Sequence, residues 1–303
     1  MTSKEGRVGF VGLGTMGAAI ANRLLDEGIS LLLHDVRREA ASKLLERGAQ
    51  WATTLEELAQ EVDVVLLSLP GPPEIADVVA GPNGLLENLA AGATVVDLST
   101  NSIATARELA TAASQRDMTF IDSPVSGGSV GGREGTLVLM VGGPSEGVDR
   151  VRPLLAKISR KLFYLGESGA GTIAKLINNQ LYLCGEVLFF EGLVLAAKAG
   201  LAPDSLCEIL ELTGVGGAHA RLAPRIFERR YDDRTFTLGL AEKDVSLAIE
   251  ASRTLNAPMP TTEAAHELFT QALAEGLRDK NFWSSIEVAE RRAKVRVDAG
   301  NGD

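Results

Sequence analysis

A chain of 303 residues is long enough for two domains, each with its own core. Its 45% hydrophobic and 23% charged residues are ordinary for a water-soluble globular protein, and its net charge of −10 excludes the basic footprint of a nucleic-acid binder. Any acidic substrate therefore needs a local cluster of Lys or Arg working against the global field.

Val8-Gly9-Phe10-Val11 reads as the first strand and Met16 to Glu27 as the first helix. Between them, Gly12-Leu13-Gly14-Thr15-Met16-Gly17 has the spacing of a dinucleotide fingerprint. Its glycines permit a tight turn, close approach of a pyrophosphate and tight packing of helix on strand. The helix N-terminus adds free N–H donors and the positive end of a dipole. The competing reading is a glycine-rich turn without a ligand, which the strand–turn–helix setting disfavours. Leu31-Leu32-Leu33 is the second strand, and Asp35 ends it where an acidic ribose ligand belongs. Asp35 would repel a 2′-phosphate, which favours NAD over NADP. Arg37 and Arg38 argue the other way, unless they are only solvated residues at a helix start.

Glu39 to Arg47 is helical, and Val64 to Leu67 is a continuous apolar run of the kind buried on both faces. Thr94 to Leu98 and Thr119-Phe120-Ile121 repeat the theme, with a helix from Thr105 to Ser114 between them. Leu69-Pro70 and Thr100 follow two of these strands at the carboxyl edge, where such sheets bind ligands. Strands alternating with helices predict an α/β domain with a mainly parallel, doubly wound sheet. Ser126-Gly127-Gly128 offers a hydroxyl and exposed backbone N–H groups, either an anion nest or an ordinary turn. Leu137 to Val141 and Leu162 to Tyr164 finish the domain as strands of mixed direction.

After Gly166 the strands disappear, which predicts a first domain over 1–166 and an all-α domain over 167–303. Helices are predicted at Thr172–Ala199, Pro203–Leu212, Leu222–Arg230, Gly239–Leu255 and Thr261–Ala274, followed by a polar tail that frays from Arg291 to Asp303. Gly169 and Gly171 read as a turn opening the first of these helices. On it, Lys175 and Asn179 lie four apart and share a face. An amine can take or give a proton, and an amide can orient a hydroxyl or carbonyl beside it. Taken alone, Lys175 would be read as a solvated helix lysine. The stretch from Leu181 to Ala197 is apolar around much of its circumference but is interrupted by Glu186 and Glu191, which suits burial in protein rather than lipid. It exceeds what one small core can cover and predicts a homodimer or homotetramer; burial between the two domains is the alternative. The two cysteines, Cys184 and Cys207, and the three histidines form no metal spacing or disulfide framework. With a start, Met1 to Gly6, that lacks a signal peptide's apolar core, these residues predict a reducing, cytoplasmic setting.

With these pieces in hand, the chain resembles the β-hydroxyacid dehydrogenase family over nearly its whole length. Four motifs in order carry the resemblance: Phe10 to Gly17, Asp122 to Gly128, Gly169 to Asn179 and Phe236 to Asp244. It implies a Rossmann-type domain followed by an all-helical one, and reversible NAD(P)-linked oxidation of a small 3-hydroxy acid (3-hydroxyisobutyrate-, glycerate- or 4-hydroxybutyrate-like). Lys175 is thereby implied as proton donor and acceptor, and Asn179 as the holder of the reacting hydroxyl. Ser126, Gly127 and Gly128 are implied as the carboxylate loop, with Asn178 also at the substrate. Lys243 would reach the cofactor or the acid group, with Asp244 as a nearby partner. Gly12, Leu13, Gly14, Thr15, Met16, Gly17, Asp35, Arg37, Leu69, Pro70, Glu74 and Thr100 are implied against the cofactor, and no metal is required. A free lysine titrates near ~10.4, so base action near neutrality needs burial or a nearby cation, for which Lys243 is a candidate.

Two departures leave the substrate open. Glu74 stands where relatives usually offer asparagine, and Arg133-Glu134 replace residues that are commonly small. Three rivals remain. A 6-phosphogluconate dehydrogenase expects His at Asn178 and usually a longer chain, and imine reductases normally replace Lys175. A cofactor-binding scaffold has no use for the assembled set.

Overall fold

The computed structural model describes residues 7–215 and 217–299. The start, read above as free of a leader's apolar core, and the last four residues of the tail lie outside them. The chain divides into two compact units after Lys175.

The first unit is built on nine strands: β1 (Arg7–Val11), β2 (Ser30–His34), β3 (Gln50–Trp51), β4 (Val64–Leu67), β5 (Thr94–Asp97), β6 (Thr119–Asp122), β7 (Val125–Ser126), β8 (Leu137–Gly142) and β9 (Ser159–Gly166). Their order in the sheet is β3-β2-β1-β4-β5-β6-β8-β7, with β9 paired to β8. The pairs from β3 to β6 are parallel, β8 runs antiparallel to β6 and β7, and β9 is parallel to β8. The mixed direction expected at the end of the domain is therefore present.

Period-two alternation explains why the apolar runs had to be continuous. Leu31 and Leu33 enter one core with Phe10, Leu66, Val96 and Ile121, whereas Leu32 enters the opposite core with Val65, Val95 and Phe120. Both faces are covered, as a doubly wound sheet requires. Chain order reverses between β1 and β4, which places a topological switch point at their carboxyl ends.

Several elements go beyond those expected from the sequence: β3, β7 and the helices Leu55–Glu61, Pro72–Ala80, Gly128–Glu134 and Ser145–Ala156. Local chemistry holds some of them. Thr54 Oγ1 accepts from Glu57 N at 3.0 Å while Glu57 Oε2 accepts from Thr53 N at 2.6 Å, a reciprocal cap. Pro72 fills the first turn of its helix, where its missing N–H costs nothing.

Among the described residues, the second unit's regular structure is helical apart from one isolated bridge, Thr237 to Asn281. Its main helices are the part of Ala170–Lys198 beyond Lys175, then Pro203–Leu212, Leu238–Thr254, Pro260–Ala274 and Ile286–Ala293. Phe190, Leu193, Phe269 and Phe282 centre its core. The long helix is apolar enough by length and composition to span a bilayer, but half of that stretch is buried in protein. Glu186 is fully buried there and bonds to His219, whose ring stacks with those of Tyr182 and Phe189. Burial pushes the Glu186 carboxyl upward, against the stabilising pull of the histidine.

The tail corrects the sequence reading. Instead of fraying at Arg291, the last helix continues to Ala293 and Val297 is fully buried. Arg229 Nη2 donates to Val297 O at 3.2 Å, and Val297 N donates to Glu290 Oε1 at 2.8 Å. A bidentate Arg229–Glu290 pair therefore clamps a segment whose composition alone reads as loose.

Candidate active site

The fingerprint glycines divide into two kinds. Gly12 adopts φ +91°, and a Cβ there would stand 2.3 Å from Ser68 O; one on Gly17 would stand 2.0 Å from Gly12 O. These two are required by packing. A Cβ on Gly14 would meet nothing within 4 Å, and Gly14 caps the helix Thr15–Asp26 without a side-chain bond to its first turn. Open space above unmet N–H groups at a helix start suits a pyrophosphate, so the loop fits a dinucleotide. Leu13, Thr15 and Met16 complete the turn.

Asp35 follows β2 directly. Its Oδ2 accepts from Leu13 N at 2.6 Å and its Oδ1 from Arg37 N at 2.8 Å, so the ribose candidate also braces the phosphate loop. Each oxygen keeps a lone pair for a further donor. Arg37 and Arg38 are both exposed, and the Arg38 guanidinium lies 6.0 Å over Trp51, whose ring stacks on His34.

The loops after β4 and β5 are tied together. Leu69 N donates to Ser99 Oγ at 2.9 Å. Ser99 N and Asn101 Nδ2 each donate at 2.9 Å to fully buried Asp97. Burial pushes the Asp97 carboxyl up to about 6, against the pull of those donors. Leu69, Pro70 and Thr100 are thereby placed at one sheet edge, while Glu74 is exposed in the first turn of its helix. Ser126 ends β7 opposite Val138, and Gly127 and Gly128 follow at φ +129° and +63°. Arg133 is exposed on the next helix.

Lys175 is half-buried on the long helix and Asn179 is buried on the same helix one turn later. Asn179 Nδ2 donates to Asp244 Oδ2 at 2.6 Å, and Asn178 Nδ2 donates to Asn179 Oδ1 at 3.0 Å. Lys243 Nζ stands 3.0 Å from Asp244 Oδ1, and Asp244 is nearly inaccessible. A carboxylate only accepts, so Asp244 fixes which end of the Asn179 amide is which. The Lys243–Asp244 pair is thus part of a buried network rather than an exposed helix pair.

Sequence reasoning did not assign Asp97, and it gave Asp122 and Asp244 no such positioning roles. The available signal for the first two was an aspartate closing a buried apolar run, as in Val95-Val96-Asp97 and Phe120-Ile121-Asp122. Among the described residues no cluster of His, Cys, Asp or Glu could hold a metal.

Residues 7–166 match the family described as the NAD binding domain of 6-phosphogluconate dehydrogenase. Residues 169–289 match the one described as NAD-binding of NADP-dependent 3-hydroxyisobutyrate dehydrogenase. Together with the fingerprint and the switch point, these matches define an NAD(P)-dependent oxidoreductase acting on CH–OH groups. The chain belongs to the β-hydroxyacid dehydrogenase family. It is 34% identical to a 3-hydroxyisobutyrate dehydrogenase of Pseudomonas aeruginosa, over 92% of this chain and 97% of that one. It is 32% identical to the 2-(hydroxymethyl)glutarate dehydrogenase of Eubacterium barkeri, over 98% and 99% of the two chains. A solved 3-hydroxyisobutyrate dehydrogenase of Mycobacterium tuberculosis, with L-serine, superposes with a TM-score of 0.84 at 28% identity, over 94% of this chain and 99% of that one.

Proposed function

We propose that the protein reversibly oxidises a small 3-hydroxy acid to its semialdehyde or keto acid, with NAD preferred over NADP. The observation that carries this reading is the oriented set on one helix, half-buried Lys175 a turn before an Asn179 amide fixed by Asp244. NAD, when bound at the fingerprint loop, supplies the hydride acceptor. Lys175 takes the hydroxyl proton in oxidation and returns it in reduction, while Asn179 holds the oxygen that bears it. Ser126 Oγ and the backbone N–H groups of Gly127 and Gly128 bind the carboxylate. Relatives named for 3-hydroxyisobutyrate and 2-(hydroxymethyl)glutarate support a hydroxy acid of this size. Asp35 supports NAD, although the family matching the second half is described as NADP-dependent.

If the Ser-Gly-Gly loop binds the acid group, a carboxylate is required rather than tolerated. Matched pairs test this: a 3-hydroxy acid against its methyl ester or the corresponding simple alcohol. We expect kcat/KM to fall by at least ~100-fold without the carboxylate, because charge-assisted bonds orient the alcohol carbon as well as hold it. Comparable turnover of the neutral alcohol would point instead to a general alcohol or carbonyl reductase.

We also infer a homo-oligomer in a reducing, cytoplasmic compartment. Exposed Leu181, Leu188 and Leu195 recur at seven-residue intervals on the long helix, which supports self-association, and Cys184 and Cys207 are both buried free thiols.

A further inference from the structure

Asp122 is the last residue of β6 and is fully buried. Its Oδ1 accepts from Gly169 N at 2.8 Å; its Oδ2 accepts from Thr172 N at 2.7 Å and from Thr172 Oγ1 at 3.0 Å. These donors bracket the first turn of the helix that carries Lys175. The carboxylate thus serves as an N-cap supplied from a distant strand, where a negative charge is most favourable to a helix. Burial raises its carboxyl's pKa, and the three donors pull the other way.

Packing leaves the turn no freedom. A Cβ on Gly171 would stand 2.2 Å from Met140 O and 2.7 Å from Asp122 O, and one on Gly142 would stand 2.8 Å from Gly171 N. The helix start is pressed onto β6 and β8 at backbone distance. From Thr172 to Lys175 is one turn, a rise of roughly 4.5 Å. In the other direction, Asp122 roots the loop that reaches Ser126 four residues later.

We infer that Asp122 is a positioning residue for the reaction, holding the Lys175 helix at a fixed place relative to the Ser126-Gly127-Gly128 loop. The inference rests on the function proposed above. A cap that served folding alone would lower thermal stability and leave turnover per site unchanged. A positioning cap lowers kcat, because the amine is displaced from the alcohol while the fingerprint loop is untouched.

Asp122→Asn keeps the volume but replaces one accepting oxygen with an amide nitrogen that only donates, and so sets it against backbone N–H donors. It is assayed with a 3-hydroxy acid well below its melting temperature, on sites titrated with cofactor. We expect kcat to fall about 100-fold, the scale of a misplacement near 1 Å, while cofactor Kd is unchanged. Wild-type kcat in a less stable variant would overturn the inference. If Asp122→Asn does not fold, Thr172 decides. Thr172→Val, which loses one donor, should lower kcat by about 5-fold, and Thr172→Ser, which keeps it, should match wild type. Equal kcat in the two Thr172 variants would overturn the inference as well. Lys175→Ala separates the two levels. Normal turnover by Lys175→Ala refutes the proposed function itself. An inactive Lys175→Ala beside fully active Asp122→Asn and Thr172→Val refutes only the positioning role.

Discussion

Asp35 accepts from Leu13 N with one carboxylate oxygen and from Arg37 N with the other, so its charge is held at the mouth of the fingerprint loop. A 2′-phosphate placed there would face an anion that cannot swing away without releasing the loop. The opposing residues, Arg37 and Arg38, are both exposed and less firmly held, with only a 6.0 Å approach of Arg38 to the Trp51 ring. We therefore expect kcat/KM to be higher with NAD than with NADP, and Asp35→Ala to erode the ratio by about 10-fold or more, the size of one or two charge-assisted bonds. A wild-type preference for NADP would show that the two arginines outweigh Asp35. At this scale the sequence was informative where chemistry is local. Asp35 after a strand and Lys175 four before Asn179 need no distant partner to be noticed. The aspartates that fix those groups were not legible, because Asn179 and Asp244 lie 65 positions apart and Asp122 and Thr172 lie 50 apart.

The long helix shows which element boundaries a sequence can and cannot give. Its apolar pattern predicts Thr172–Ala199, and the helix runs Ala170–Lys198. The difference at the start arises because Gly171, beside Gly169, reads as a turn in the sequence. Gly171 is helical, and it is glycine because Met140 O leaves no room for a side chain. Short elements such as β3 or the helix Gly128–Glu134 are set by contacts rather than by periodicity. The same helix presents Leu181, Leu188 and Leu195, exposed by 64%, 57% and 71%, a stripe too apolar to be left in water at no cost. Light scattering should give an oligomer mass at micromolar concentration, and Leu188→Glu should shift it toward monomer. A wild-type monomer across that range would refute the self-association reading.

At the scale of the whole chain, continuous apolar runs alternating with helical patterns were sufficient to anticipate a doubly wound sheet followed by helices. Both faces of such a sheet must be buried, and the short run Val64-Val65-Leu66-Leu67, with its β-branched valines, suits a strand of that kind. The tail up to residue 299 departs from its sequence pattern for the opposite reason. Its anchor, Arg229, is 68 positions from Val297, and a polar segment with one buried valine carries no pattern of its own.

In the proposed reaction of this NAD(P)-dependent hydroxy acid dehydrogenase, Lys175 moves the hydroxyl proton. The most direct measurement is single-site turnover of Lys175→Ala with a 3-hydroxy acid, alongside its cofactor affinity. A loss in kcat of ~10²–10⁴-fold with cofactor binding intact is expected, the range for a missing general acid–base. A Lys175→Ala enzyme that binds cofactor and turns over at nearly the wild-type rate would contradict this role.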